Sequence, residues 1–258
     1  MEAIQEHAPF RPEIAVVLGS GLGGFTESLS CNAVLQTASI PGYPHSTVEG
    51  HKGELAFCTA GLRRTLTFRG RVHFYESGNV NAILFPIRVA AALGARILVI
   101  TNAAGGVNRT FVPGDLMLIS DHINFTGETC PEPGASKSRG ALYDPQLIRI
   151  AENTANQIGV RVVRGVYAAM KGPSYETAAE IEMIHRIGGD AVGMSTVLEV
   201  ALASSLGMRV LGISCITNKA TGTSSAKLNH EEVTVVAHQV REQFSRLLTH
   251  VIKALPPA

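Results

Sequence analysis

An apolar run, Ile14-Ala15-Val16-Val17-Leu18, leads directly into a glycine-rich turn, Gly19-Ser20-Gly21-Leu22-Gly23-Gly24. Short runs of Val, Ile and Leu predict buried strands, and glycines let backbone N–H groups approach a bound anion closely. The turn is therefore either an anion-binding loop, to which Ser20 adds a hydroxyl donor, or a plain tight connection from a strand to a helix.

The same glycine spacing satisfies G-x-G-x-x-G, the fingerprint of dinucleotide-binding folds. That fingerprint also needs a second parallel strand that ends in an acidic residue, which holds a ribose. Here the chain runs through Val34 to Ile40 into Pro41-Gly42-Tyr43-Pro44, without Asp or Glu at that place. This disfavours a nicotinamide or flavin site. A Walker loop is excluded because no Gly-Lys-Ser/Thr follows the turn.

Further apolar runs alternate with segments of helical period along the chain. Strands are predicted at 96–100, 161–167, 190–192 and 209–216, and the alternating apolar residues of 54–68 around Gly61 predict an antiparallel hairpin. Helices are predicted at 79–93, 144–158, 176–187, 197–206 and 230–254. The pattern predicts one α/β domain over residues 1–258, with a twisted mixed sheet flanked by helices on both faces.

The charge balance narrows the classes of function. A formal net charge of +1 gives no general attraction to nucleic acid or to an anionic membrane, so we expect neither partner. The N-terminal residues 1–10 lack the basic and apolar regions of a secretory signal, and 97–100 is too short to cross a bilayer. A cytoplasmic location is the resulting expectation.

The cysteines Cys31, Cys58, Cys130 and Cys215 have no paired C-x-x-C spacing. This argues against a zinc site or a redox dithiol, and no other metal site is indicated. We therefore expect four free, buried thiols.

Arg71, His73 and Tyr75 stand at alternate positions of Gly70-Arg71-Val72-His73-Phe74-Tyr75-Glu76. If this segment is extended, the three side chains point to one face. An arginine fork beside an imidazole suits a phosphate dianion, whereas a structural role would pair Arg71 with a nearby carboxylate such as Glu76. The sequence leaves both interpretations open.

Polar residues also follow several predicted strands or begin a predicted helix. Small residues in 101–106 leave space for a flat group, and Gly172-Pro173-Ser174-Tyr175-Glu176-Thr177 precedes a helix that Ser174 could cap. The alternatives are a plain turn at 101–106 and a favourable first-turn acid at Glu176. Because 193–196 and 217–219 also end buried strands with polar groups, we expect one shared pocket.

Taken together, these motifs resemble the trimeric purine nucleoside phosphorylases, and the match spans nearly the whole chain. The motifs that carry the resemblance are, in order, Leu18 to Gly23, Gly50-His51-Lys52-Gly53, Gly70 to Glu76, Asn102 to Gly106, Gly172 to Thr177, Val192 to Thr196, Ile216 to Lys219 and Asn229-His230-Glu231-Glu232-Val233.

The resemblance implies a role for each matching residue. Phosphate would be surrounded by Ser20, His51, Arg71, His73, the backbone of Ala103, and Ser195. The pentose would be lined by Tyr75, Met194 and His230, with His230 near the 5′-hydroxyl. The purine would be held by Tyr175, Glu176 and Asn218. The family also implies a homotrimer in which a neighbouring subunit contributes an aromatic side chain to the sugar site.

Two segments depart from the family pattern. Residues 124–143 look shorter than their usual counterpart and lack a clear version of the stretch that supplies the neighbour's aromatic side chain, so we do not name that residue. Residues 220–228 differ from the vertebrate form and look more like the bacterial one.

The implied reaction is phosphorolysis of 6-oxopurine nucleosides such as inosine and guanosine, with Asn218, His73 and Glu176 as the catalytic residues. Phosphate is itself the nucleophile, so no cofactor, metal or activated side chain is expected. Asn218 would donate to the leaving base while Glu176 accepts from N1–H, which disfavours adenosine. The alternatives are a methylthioadenosine phosphorylase, which usually carries Asp where Asn218 stands, a xanthosine preference, and a non-catalytic nucleoside-binding paralogue.

Overall fold

The structure, a computed structural model, describes residues 2–48, 50–132, 140–223, 236 and 239–257. The strands are β1 (Ile14–Val17), β2 (Ser30–Gln36), β3 (Glu54–Ala60), β4 (Arg63–Arg69), β5 (Ile97–Gly106), β6 (Leu116–Asn124), β7 (Val162–Ala169), β8 (Ala191–Gly193) and β9 (Arg209–Lys219). The α-helices are α1 (Glu2–Gln5), α2 (Phe74–Ser77), α3 (Val80–Leu93), α4 (Pro145–Gln157), α5 (Ala178–Arg186), α6 (Val197–Ser205) and α7 (Arg241–Ala254).

The strands form a mixed nine-stranded sheet in the order β2-β3-β4-β1-β5-β8-β7-β6-β9. An additional pairing joins β5 to β9, so β5, β8, β7, β6 and β9 close into a ring. Closure removes a free sheet edge at this end of the molecule. The free edge at the other end is β2.

Strand β5 changes its partner along its length. Its first residues pair in parallel with β1 as far as Val17 opposite Ile100, and its last residues, Gly105 and Gly106, pair with β8. On the other side β9 accompanies β5 throughout. Residues 101–104 of β5 therefore have no strand partner on one edge within the described sheet. A gap of this kind is where α/β sheets bind ligands.

Helices α3 and α4 begin at capped positions, and the longer helices pack in pairs. The Asn79 side chain accepts hydrogen bonds from two backbone N–H groups at the start of α3, and Asp144 does the same for α4. Helix α3 packs on α6, α4 packs on α7, and both α4 and α6 contact β9. The buried patterns of β1 and β5 are those of strands covered on both faces.

Most predicted elements are confirmed within a few residues. The strands at 14–18, 161–167, 190–192 and 209–216, the hairpin over 54–68, and the helices at 79–93, 144–158, 176–187 and 197–206 are all present. The strand predicted at 96–100 continues to Gly106, so 101–106 lies within β5 and not after it. The helix predicted at 230–254 is described from Arg241, and residues 224–235 lie outside the described residues.

Two strands are not among the predictions. Leu116-Met117-Leu118-Ile119 in β6 is a buried apolar run of the kind that identified the other strands. Strand β2 is mostly exposed and carries no such signal. It is held in the sheet by pairing with β3, which is a tertiary contact that periodicity does not reveal.

The expectation of four free cysteines is wrong for two of them. Cys31 and Cys58 form a disulfide, because β2 and β3 place them directly opposite each other. Their separation of 27 positions carries no local signal of pairing. Cys130 and Cys215 are free and buried, as predicted.

No helix in the described parts of the chain is long and apolar enough to cross a membrane.

Candidate active site

A cavity opens at the gap beside β5, with about 750 Å³ of empty space, its open mouth included. Pockets of this size accommodate small organic ligands. It brings together most of the residues predicted to form a site: Ser20, Arg71, His73, Tyr75, Ala103, Tyr175, Glu176, Met194, Ser195 and Asn218. These residues come from segments distant in sequence, so the expectation of one shared pocket is confirmed.

The glycine turn lies at one wall of this cavity. The Gly19 N–H donates to the Thr101 hydroxyl over 3.1 Å, and that hydroxyl donates to the Val17 carbonyl. A Cβ atom on Gly19 would lie 2.7 Å from the Asn102 Cα, so only glycine allows this approach. The turn therefore packs on β5 at its unpaired edge, and Ser20 lines the cavity.

Arg71 is the only arginine or lysine among the described residues that line the cavity. Its side chain is 3% exposed, and Nη1 lies 3.3 Å from the Glu199 Oε1. Nη2 donates to the Thr101 carbonyl, within the unpaired part of β5. The carboxylate partner of Arg71 is thus Glu199 and not Glu76.

The segment after Arg71 is not extended throughout, because Phe74–Ser77 forms the single turn α2. Glu76 closes this turn by accepting from the His73 N–H over 2.6 Å, and its carboxylate also lies 3.2 Å from the His73 Nδ1. Burial raises the pKa of Glu76, but hydrogen bonds from His73 and Thr47 outweigh burial and lower that pKa well below its usual range. Glu76 therefore stays ionised, and its carboxylate holds the His73 ring at the cavity.

His51 lies behind the cavity wall and does not line the cavity. One ring nitrogen, Nε2, lies 3.1 Å from the Ser20 hydroxyl, and the other contacts the backbone of Arg71. The ring stacks on His73 with 5.2 Å between centroids. Burial, and after it the electrostatic interaction with the nearby His73 ring, lower the pKa of His51 to about 4. The neutral ring supports Ser20 from outside the pocket.

Ser195 is presented by a strained turn. Thr196 has φ of 82°, and the Val197 N–H donates to the Ser195 carbonyl over 3.0 Å, which closes a γ-turn. The buried Asn102 side chain donates from Nδ2 to the Thr196 hydroxyl over 2.8 Å. This bond holds the turn against the unpaired edge of β5, and the Ser195 and Thr196 hydroxyls lie 3.1 Å apart.

A buried tyrosine supports the same turn. The Ser195 N–H donates to the Tyr167 hydroxyl over 3.4 Å. Burial raises the pKa of Tyr167 to about 12, so the hydroxyl stays protonated. A Cβ atom on Gly193 would lie 2.4 Å from that hydroxyl oxygen, so Gly193 admits the tyrosine.

Asn218 lies opposite Gly105, further along β5 than the Thr101 that Gly19 and Arg71 contact, so it defines a second end of the cavity. Glu176 also lines this cavity. The Glu176 side chain is buried, and its Oε1 has no hydrogen-bond partner among the described residues. Burial raises the pKa of Glu176, and the charge of Glu180 adds to this effect. A buried acceptor without a partner is costly unless a ligand supplies the donor.

Asn218 reaches this end of the cavity because the pairing of β5 with β9 shifts register. The pairs run from Ala104 opposite Ile216 to Gly105 opposite Asn218. Shifts of this kind redirect side chains next to active sites. The Asn218 Oδ1 accepts from the Thr217 hydroxyl over 2.9 Å, and its Nδ2 donates to the Lys219 carbonyl over 3.0 Å. The Thr217 bond orients the Asn218 amide.

Tyr75 and Met194 also line the cavity, and both lie next to Gly172. A Cβ atom on Gly172 would lie 2.4 Å from the Met194 Sδ and 3.0 Å from the Tyr75 Cδ1. The Tyr75 ring also stacks on His73 with 5.1 Å between centroids. Tyr175, beside them at the mouth, is 45% exposed.

Two expectations at the start of α5 are wrong. The helix is capped by Thr177, whose hydroxyl accepts from the Glu180 N–H while Glu180 accepts from the Thr177 N–H. Ser174 therefore does not cap α5. Glu176 precedes the helix, so it is not a first-turn acid.

Sequence reasoning missed several supporting residues. Glu199 stands as a single acid in the apolar run of α6, which is a signal that could have drawn attention to it. Asn102 belongs to the motif Asn102 to Gly106, but the resemblance implies no role for its side chain. Tyr167 carries no local signal. His230, predicted to line the pentose, lies outside the described residues.

The described residues contain no group of three or more His, Cys, Asp or Glu side chains that could hold a metal ion. The cavity instead offers hydroxyl, imidazole and guanidinium groups at one end and a carboxylate with an amide at the other. Chemically, this suits an anion beside a flat polar ring system.

The fold and this site define the chain as a member of the phosphorylase superfamily, whose family model matches residues 13–253. Within that superfamily it groups with the purine nucleoside phosphorylases, which are pentosyltransferases. It is 44% identical to purine nucleoside phosphorylase 1 of Geobacillus stearothermophilus, over 97% of this chain and 94% of the relative. It is 39% identical to the purine nucleoside phosphorylase of Bos taurus, over 97% of this chain and 91% of the relative.

Solved structures agree with this grouping. A schistosome purine nucleoside phosphorylase in complex with hypoxanthine superposes with a TM-score of 0.89 at 34% identity, covering 99% of this chain and 95% of that one. The Schistosoma mansoni enzyme in complex with inosine gives a TM-score of 0.89 at 33% identity, covering 100% and 95%.

Proposed function

We propose that this chain splits the N-glycosidic bond of 6-oxopurine ribonucleosides and deoxyribonucleosides with inorganic phosphate, giving the free base and pentose 1-phosphate. The observation that carries the proposal is one cavity whose lining combines Arg71, His73 and two serines with Asn218 and with Glu176, a buried carboxylate that has an unpaired oxygen. The bound hypoxanthine and inosine of the schistosome relatives support a purine nucleoside substrate.

The phosphate binds at the unpaired edge of β5. Arg71 supplies the positive charge, Ser20 and Ser195 supply hydroxyl donors, and the backbone of Ala103 faces the same space. His73 is oriented by Glu76 and is the natural hydrogen-bond partner of a phosphate oxygen. Holding the anion beneath the sugar converts a bimolecular encounter into an aligned attack on C1′.

The leaving base is stabilised at the other end. Bond breaking gives the sugar cationic character and places negative charge on the purine, where the Asn218 amide donates to N7. Preorganised donors of this kind stabilise charge that develops in the transition state. Glu176 accepts from N1–H with the oxygen that otherwise has no partner. Tyr175 covers the purine, while Tyr75, Met194 and His230 contact the pentose.

The same pair of residues selects the base. A 6-oxopurine offers Glu176 an N1–H donor, whereas a 6-aminopurine offers only a bare N1 and leaves the buried carboxylate unpaired. Mismatches at buried polar groups separate substrates by several orders of magnitude. A Schistosoma mansoni relative has been crystallised with adenosine, so the proposed discrimination concerns turnover and not binding alone.

Three further properties belong to the proposal. The enzyme needs no cofactor or metal, because phosphate is the second substrate. It works in the cytoplasm. It assembles as a homotrimer, as its resemblance to the trimeric family implies, and light scattering should then give the mass of three chains of 27.3 kDa.

The decisive assay follows inosine and adenosine consumption by purified protein with and without phosphate, in the presence of a chelator. We expect hypoxanthine release from inosine only with phosphate, and little release of adenine from adenosine. The proposal would be falsified if phosphate-free enzyme released hypoxanthine as fast as the phosphate-supplied reaction.

Asn218→Asp tests the base end. We expect kcat/KM for inosine to fall by about 100-fold, because a transition-state donor of this kind contributes on the order of 3 kcal/mol. Asn156→Asp makes the same chemical change at an exposed position of α4 and serves as the control. Equal losses in both variants would contradict the role of Asn218. Turnover of methylthioadenosine by the unaltered enzyme would favour the methylthioadenosine phosphorylase alternative.

A further inference from the structure

The residue that holds Arg71 is a carboxylate on a different element, outside the cavity described above. Glu199 lies in the first turn of α6, 128 positions from Arg71, and its side chain is 4% exposed. Its Oε1 lies 3.3 Å from the Arg71 Nη1, while the Arg71 Nη2 donates to the Thr101 carbonyl. The guanidinium is therefore held by an acceptor at each of its two terminal nitrogens.

A buried ion pair of this kind is weak evidence for stability. Taking both charges out of water costs several kcal/mol each, and an apolar pair of similar volume often stabilises a fold as well or better. The alternative is that Glu199 only stabilises the N-terminal end of α6, as an acidic residue in its first turn. That role needs no partner for the carboxylate, whereas this carboxylate is buried and lies 3.3 Å from the guanidinium of Arg71.

The geometry of the remaining donors supports a functional role. A guanidinium carries five N–H donors in a rigid planar fork, so fixing both terminal nitrogens fixes the direction of the rest. Arg71 lines the cavity and is the sole arginine or lysine among the described lining residues. The orientation of the Arg71 guanidinium therefore determines where in the cavity an anion can bind to it.

Helix α6 also joins the two halves of the anion end. Ser195 lies in the γ-turn that leads into α6, and Glu199 lies one helical turn further on. The start of one helix thus presents a hydroxyl to the cavity and anchors the arginine that faces it. Displacing Glu199 changes the placement of Arg71 without touching the base end.

We propose that Glu199 is a positioning residue for phosphate binding, which acts by holding the Arg71 guanidinium in the orientation that meets the anion. This inference rests on the proposed phosphorolysis, since it assigns phosphate to the Arg71 end of the cavity.

The test compares three substitutions by steady-state kinetics and by calorimetric titration with inorganic phosphate. Glu199→Ala removes the acceptor, so we expect the KM and Kd for phosphate to rise by about tenfold or more, since small misplacements of binding groups have effects of this size. Glu199→Asp withdraws the carboxylate by one methylene and should raise both constants by a smaller factor. Glu199→Gln keeps an oxygen at the same reach and should restore most of the loss. The KM for inosine should stay within about twofold throughout.

Asp115→Ala is the matched control. Asp115 is also a buried carboxylate, 5% exposed, and it pairs with the Arg161 Nε over 3.2 Å away from the cavity. Its loss should lower stability and leave the phosphate constants unchanged. If Glu199→Ala does not fold, Glu199→Asp and Glu199→Gln still give the comparison, because both retain an acceptor at this position.

The inference and the proposed function fail in different ways. Absence of phosphate-dependent cleavage by the unaltered enzyme would overturn the proposed function, and phosphate titration of the same variants would still test Glu199. With cleavage intact, three results would overturn the role of Glu199: unchanged phosphate constants in Asp and Ala variants, tighter phosphate binding in Glu199→Ala, or equal rises in the KM for inosine and for phosphate.

Discussion

At the base end of the cavity, Glu176 combines a buried side chain with a carboxylate oxygen that has no partner among the described residues. Burial makes ionisation costly, which is why the pKa of this group is raised. Because the folded-state pKa lies above the unfolded one, protonation of Glu176 favours the folded state. Its contribution to stability is complete below the unfolded pKa and is lost as the pH rises through the folded one.

The raised pKa of Glu176 predicts an acid limb in the pH profile of the reaction. The ionised form accepts from N1–H, so kcat/KM for inosine should begin to fall at a higher pH than an ordinary glutamate would give. Glu176→Gln should lower kcat/KM by about 100-fold and remove this limb. Glu182→Gln, at an exposed carboxylate on α5 that pairs with Arg186, is the control and should leave the profile unchanged. A limb that survives in Glu176→Gln would assign it to another group.

At the scale of elements, the sequence predicted what local periodicity controls. Helices such as α4 and α6 and most buried strands follow from apolar spacing and boundary residues, although β6 is a buried apolar run that is not among the predictions. The sequence allows Ser174 to cap α5, but the cap is Thr177, because both residues suit the position and only the backbone geometry distinguishes them.

Contacts between elements could not be predicted from local patterns in the sequence. Arg71 was weighed against the neighbouring Glu76, yet its partner Glu199 lies 128 positions away. The sequence also leaves open whether the segment that forms α2 is extended, because alternate polar residues look the same in a strand and in an irregular segment. The side chains of the cavity were nevertheless largely identified, since polar residues at the ends of buried strands mark the ligand-binding side of a sheet.

The Thr177 cap predicts a measurable contribution of α5 to stability. Thr177→Ala removes the hydroxyl that accepts from the Glu180 N–H, and we expect the free energy of unfolding in urea to fall by about 1 kcal/mol. Thr177→Ser retains the hydroxyl and should lose much less. Equal losses in the two variants would show that the methyl group, and not the hydroxyl, stabilises the helix.

At the scale of the whole molecule, the disulfide and the cavity lie in different parts of the sheet. The disulfide Cys31–Cys58 ties the edge strand β2 to β3, whereas the cavity opens beside β5 and none of its described lining residues is a cysteine. Disulfides persist in oxidising environments and are rare in the cytosol. In the cytoplasmic location proposed above, the two thiols would therefore be kept reduced, and the bond stabilises the oxidised protein.

Reduction of the disulfide should affect stability and spare catalysis. A bond that closes a loop of 27 positions is expected to stabilise the fold by about 3 kcal/mol. We expect Cys31→Ser with Cys58→Ser, or added dithiothreitol, to lower the urea midpoint while the KM for inosine stays unchanged. Alkylation of denatured protein without reductant should modify Cys130 and Cys215 alone. Modification of all four cysteines would show that the bond does not form.

Strand β5 pairs with β1 at its start and with β8 at its end, and this change of partner limits how such a protein can be re-engineered. The cavity lies where β5 changes its pairing partner within one continuous sheet. Its two walls therefore belong to one rigid unit and cannot move apart as two domains joined by a hinge would. A bulkier substrate must then be accommodated by rebuilding the connecting segments at the rim, such as 172–177 and 219–223. Changes within β5 would disturb both parts of the site, because the glycine turn and Arg71 contact Thr101 in this strand and Asn218 lies opposite Gly105.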